Sequence, residues 1–221
     1  MNKDEINAAK HILIVTDNAA FCNATALYSY FLTLHKKVSI HNSDTIDIKL
    51  SFLPWYEKSR DVKPSSAEYV VVANAETLPY IEFFKANGIK INKKMATSFY
   101  ASLMIEYENF LSSKCNGVIF ALASQLINLG AEFNLVRTYL TSRVALSTLR
   151  LKAIMLQSML LKKSASSAEL FVNEKDLKTS GATLQDAFEI MKEALNLVHV
   201  NEVILMKNDE NNKIIKMIKE I

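Results

Sequence analysis

The chain has 221 residues, half of them apolar, enough to bury a full core as one domain or two small ones. Its 26 Lys and Arg against 23 Asp and Glu leave a scattered net charge of +3, which gives no electrostatic case for nucleic-acid binding. Two cysteines, Cys22 and Cys115, without a CxxC pattern exclude a disulfide framework and a zinc ribbon.

The start, Met1-Asn-Lys-Asp-Glu-Ile6, lacks the apolar centre of a signal peptide. A strand follows at 11–16, His11-Ile-Leu-Ile-Val-Thr16, with the type of apolar run that is buried on both faces. A helix over 22–35 carries Leu27, Tyr30, Phe31 and Leu34. Between them lies Asp17-Asn-Ala-Ala-Phe-Cys-Asn23, which offers one carboxylate, two amides and a thiol. Further strands are expected at 37–41 and 68–73, with a loop and short helix at 52–58 and a helix at 76–87 closed by Asn87-Gly88.

From Asn92 the period becomes helical, over 93–108, 115–129 and 132–142. The run 144–163, with Leu146, Leu149, Ile154, Leu156, Leu160 and Leu161, reads as one connecting helix whose stripe is wide enough for contacts on two sides. Past the polar break 164–167 come a strand at 168–172, helices near 174–179 and 184–197, and a strand at 202–207. The segment 213–221 fits neither a strand nor a helix period cleanly. No run reaches the roughly 20 apolar residues of a membrane span, so a soluble cytoplasmic protein without a membrane partner is expected. Four glycines, no GxGxxG and no Walker sequence disfavour the common nucleotide sites, whose backbones approach phosphate through glycine.

Three stretches together resemble the bacterial DHH phosphoesterase family, in its branch of oligoribonucleases and 3′-phosphoadenosine phosphate phosphatases. They are Asp17 to Tyr30; Leu53 to Lys58 with Ser65 to Asn74; and Ile91 to Glu106, continuing through Leu126 to Ala131 and on to Thr179 to Thr183. The resemblance implies an α/β fold. A DHH-like domain at 1–143, with a short parallel sheet and a helical half, would be joined by the connecting helix 144–163 to a truncated α+β domain at 164–221. It also implies a two-metal site, for which carboxylates and histidines must converge to neutralise two divalent ions roughly 3.5–4 Å apart.

The departures bear on activity. Asp17 remains, but the leading His is missing and Ala19 stands where the second Asp belongs. Asn74 replaces an Asp, offering an oxygen without charge, and Glu106 stands where an Asp is expected. The Asp-His-His signature does not occur, and His11, His35, His41 and His199 lie at none of the family's ligand positions. The chain also stops at Ile221, before the glycine-rich loop that grips substrate phosphate in the family.

Each relic has a structural reading that outweighs the functional one. Asp17 reads as a cap on the next helix, Asn74 as a turn former, and Glu106 as a solvated residue at a helix end. Cys22, near a helix start that would lower its pKa, reads as a small buried residue rather than a nucleophile. Trp55 divides evenly between packing and interaction. The expectation is therefore a pseudoenzyme: a binding, regulatory or structural subunit with no catalytic residues, no bound metal or other cofactor, and a protein partner or homo-oligomeric assembly. The alternative is a weak Mn-dependent phosphoesterase acting on short oligoribonucleotides or nucleotide phosphates through Asp17, Asn74 and Glu106; nucleotide recognition without hydrolysis is a third possibility.

Overall fold

The structure, a computed structural model, describes residues 1–142, 144–207 and 213–219. It divides into two compact units, Met1–Arg143 and Val144–Ile221. Each is built round its own sheet.

In the first unit a short helix, α1 (Lys3–Ala8), precedes β1 (His11–Thr16), α2 (Phe21–Thr33), β2 (Lys37–Asn42), the two-residue β3 (Ser59–Arg60) and β4 (Tyr69–Val72). The helices α3 (Leu78–Ala86), α4 (Lys93–Glu106), α5 (Gly117–Asn128) and α6 (Phe133–Arg137) follow. The sheet order is β3-β2-β1-β4, and every pairing is parallel. The run of His11–Thr16 takes a central place because its apolar residues on both faces suit a strand covered from both sides. Helix α2 is buried from Phe21 to Phe31, packed on the sheet and on α4. Phe21, Phe31, Phe84, Phe99 and Leu103 form the centre of the core.

Local signals set the helix limits. Asn92 accepts the N–H of Met95 to start α4, and Asn116 accepts those of Val118 and Ile119 to start α5. Gly88, with φ of +63°, turns the chain out of α3 as the Asn87-Gly88 pair led us to expect. Among the described residues no single helix is long and apolar enough to cross a membrane. The apolar pair α5 and α6, bent by 120°, buries Ile119, Leu122, Leu126 and Val136 in the core instead.

The second unit contains α7 (Leu146–Gln157), β5 (Leu160–Lys162), β6 (Ser167–Val172), α8 (Glu174–Ser180), α9 (Leu184–Ala194), β7 (Glu202–Lys207) and β8 (Ile214–Lys219). Its order is β5-β6-β7-β8, parallel at the centre and antiparallel at both edges. Capping boxes at Asn173 with Asp176 and Thr183 with Asp186 start α8 and α9. Leu151 and Met155 of α7 pack with Leu170, Ile190, Met191, Val203 and Leu205.

The mixed α/β architecture, with a parallel four-stranded sheet and a second small sheet, is the one expected. Two local expectations differ, and one left open takes a definite form. The helix read over 144–163 ends at Gln157, and Leu160 and Leu161 pair instead with Glu169 and Ala168 in a hairpin. A short apolar run carries no period that separates helix from strand, and the turn after it, with φ of +51°, +57° and +70° at Lys163, Ser164 and Ala165, leaves no signature in those residue types. The helix expected over 132–142 is α-helical only to Arg137 and then widens through Thr138–Ser142. The ambiguous tail is a strand over Ile214–Lys219, while residues 220–221 lie outside the described region.

Candidate functional site at the carboxyl edge of the parallel sheet

Chain reversals after parallel strands gather at one edge, and loops there are free to carry chemistry. Asp17 follows β1 and Asn74 follows β4, so both lie at that edge of adjacent strands. Glu106 ends α4.

Each relic side chain holds a backbone amide. Asp17 Oδ1 accepts the N–H of Ala20 at 2.8 Å, closing the turn into α2. Asn74 Oδ1 accepts the N–H of Glu76 at 3.1 Å, and its own N–H donates to the Tyr80 hydroxyl at 2.6 Å. Glu106 Oε2 accepts the N–H of Thr77 at 3.0 Å, just ahead of α3. Glu106 is half-buried rather than solvated, because the positive end of α3 draws its carboxylate inward. Thus Asn74 and Glu106 brace one short loop, 74–77, from its two ends, and Asp17 serves the neighbouring loop.

One of the two amides after β1, given no role from the sequence, joins the two loops. Asn23, fully buried in the first turn of α2, donates through Nδ2 to the carbonyls of Asn74 at 2.9 Å and Ala75 at 3.1 Å. Its signal was available: an amide within an otherwise apolar helix start must find partners once buried.

The resemblance seen in the sequence implies divalent metal, and the donor set does not fit a pair of such ions. Asp17 and Glu106 each commit one oxygen to a backbone amide, Asn74 brings no charge, and Ala19 brings no donor. Among the described residues no group of three His, Cys, Asp or Glu side chains could hold a metal ion. His11 is buried between the hydroxyls of Ser66 and Ser39, at 3.0 and 2.9 Å, and serves packing.

Cys22 lies 1% exposed, and burial pushes its thiol up to about 12 against the smaller opposing effect of a backbone hydrogen bond. The pKa lowering expected from its place near a helix start is overturned, because desolvation penalises the thiolate more than the helix end favours it. Trp55 is a packing residue: its Nε1 donates to Ser29 Oγ at 2.8 Å, its ring lies 5.1 Å from that of Tyr28, and Lys94 Nζ sits over it at 4.1 Å.

The same sheet edge holds unmet polarity. Enclosed polar atoms without a partner are Asn23 Oδ1 in the first turn of α2, His41 Nδ1 and Asn42 Oδ1 at the end of β2, Ser59 Oγ in β3 and Thr77 Oγ1 ahead of α3. Asn23 and Thr77 lie in segments that follow β1 and β4, His41 and Asn42 close β2, and Ser59 opens β3. The second sheet contributes none among the described residues.

The architecture is similar to that of an exopolyphosphatase-related protein from Bacteroides fragilis, with a TM-score of 0.76 over 96% of this chain and 79% of that one, at 14% identity. The chain shares the fold of that protein. A putative family II inorganic pyrophosphatase from Methanococcus jannaschii aligns over 90% of this chain and 84% of that one, at 10% identity and a TM-score of 0.42, too low for comparing sites. No protein-family model matches the chain, and no curated protein does.

Proposed function

We propose that this chain is a catalytically inactive relative of the DHH phosphoesterases, working as a binding, regulatory or structural subunit with a protein partner or as a homo-oligomer. The observation that carries the reading is the use of Asp17, Asn74 and Glu106 as caps for the amides of Ala20, Glu76 and Thr77. A carboxylate that satisfies a helix start has exchanged ligand chemistry for local stability.

Partnership is supported by the second sheet. Pairing registers place Leu160, Glu169, Ile204 and Met217 in one row across it, and Phe171, Met206 and Ile214 in the next. These residues alternate with the Leu170, Val203 and Leu205 set that packs in the core. Leu160, Ile214 and Met217 are 47%, 51% and 44% exposed, so an apolar patch interrupted by Glu169 and bordered by Glu202 and Lys219 is open to solvent on this face.

The deciding experiment incubates purified protein with Mn²⁺ and either short oligoribonucleotides or 3′-phosphoadenosine phosphate. The proposal expects no turnover above a metal-only blank. Turnover that disappears in Asp17→Ala would establish the alternative, a weak Mn-dependent phosphoesterase.

A further inference from the structure

A cleft of about 380 Å³ lies along the side of β2, walled by Tyr28, Val38, Ile40, Lys58, Arg60 and Pro64. Its size falls in the range of small-molecule sites, about 300–1,000 Å³. We propose that this cleft binds a medium-chain aliphatic monocarboxylate, with the carboxylate held by Tyr28, Lys58 and Arg60 and the alkyl tail against Val38, Ile40 and Pro64, an inference independent of whether the protein hydrolyses anything.

A packed-away hydroxyl marks the site. Tyr28 is only 8% exposed, with its ring fixed 5.1 Å from that of Trp55. Its hydroxyl has no hydrogen-bond partner among the described residues, yet it is not one of the enclosed unpartnered atoms, so it opens on the cleft that Tyr28 lines. Burial pushes the Tyr28 pKa up, which keeps this group a donor at neutral pH. A phenol so placed calls for an acceptor from outside the chain.

The remaining polar groups are donors as well. Strand β3 covers β2 only at Ile40 and His41. Lys37 donates its N–H towards β1, to the Lys10 carbonyl, so the alternate amide, that of Val38, faces the uncovered edge. The Lys58 side chain, at the exposed mouth, has no partner among the described residues. Arg60 is held in place by Nη1, which donates to the carbonyls of Glu57 at 2.6 Å and Ser59 at 2.8 Å, leaving Nη2 and Nε for a ligand. Ser39 Oγ is engaged with His11 Nε2 at 2.9 Å. Among the described residues no acid lines the cleft, so an anion meets attraction alone. Val38, Ile40 and Pro64 offer an apolar wall that a compact inorganic anion would leave uncovered and an alkyl tail would fill.

Isothermal titration of the full chain with octanoate tests this, with octylamine, octanol and inorganic phosphate as controls. Saturable binding near one per chain is expected for octanoate, with binding about tenfold weaker or absent for octylamine and octanol and none for phosphate. Tyr28→Phe together with Lys58→Gln should weaken octanoate binding about tenfold, through the loss of one hydrogen bond and one exposed charge contact, while the circular dichroism spectrum and melting curve stay unchanged. Absence of saturable octanoate binding, equal binding of octylamine or octanol, saturable binding of phosphate, or full affinity in the folded double variant would overturn the proposal.

Discussion

The carboxylate of Glu106 accepts the backbone N–H of Thr77 at 3.0 Å, tying the last turn of α4 to the start of α3. Thr77 is fully buried, so its amide needs a protein partner. Glu106→Ala should lower unfolding free energy by about 1–2 kcal/mol, read from the denaturant midpoint. Glu106→Gln keeps an acceptor and should lose less. Equal midpoints for wild type and Glu106→Ala would show that the contact contributes nothing.

Asn23 gives a second stability test. Asn23→Ala removes the donors to the carbonyls of Asn74 and Ala75 and should cost about 2 kcal/mol. Asn23→Asp should cost more, because it sets a buried charge against two carbonyl oxygens without a donor. Chemical denaturation ranks the three proteins, and an Asp variant as stable as wild type would contradict the buried bonding.

Acid sensitivity should be found in the second unit. Glu202 is held down to about 2, first by hydrogen bonds from Lys163 and Lys219 and then by Ser167, against burial acting in the other direction. A carboxyl depressed on folding stabilises above its unfolded value near 4.5, and that contribution is lost as pH falls from there towards 2. Stability should therefore decline across this window, and Glu202→Gln should flatten the decline. A variant with the wild-type acid profile would rule Glu202 out as its source.

The cysteines should differ in reactivity. Cys22, buried and raised to about 12, should resist a thiol reagent in native protein at neutral pH, whereas half-buried Cys115 should react. One thiol titrates natively and two after denaturation. Rapid native modification of Cys22, located by peptide mapping, would contradict the burial.

The parallel sheet and its helices were legible because β1 and α2 carry unambiguous periods and Asn87-Gly88 marks a stop. The hairpin at Leu160–Lys162 was not, because a few leucines beside a helix continue its pattern whichever way the backbone turns. Helix α1 escaped notice because only Ile6 is buried in it, leaving no stripe to read. At the site, Asp17 reads as a helix cap and Asn74 as a turn former, and their side chains accept the nearby amides of Ala20 and Glu76. The partner of Glu106 lies 29 residues away and could not be read from spacing.

The bond between Glu106 and Thr77 also sets the terms of any reversal. On the proposed reading, restoring aspartates at 19 and 74 would add repelling charge at the sheet edge while the acid from α4 stayed committed to α3. A substitution elsewhere would first have to relieve Glu106 of that duty. Descent from hydrolysis would then be a ratchet, held by a helix start rather than by the missing ligands themselves.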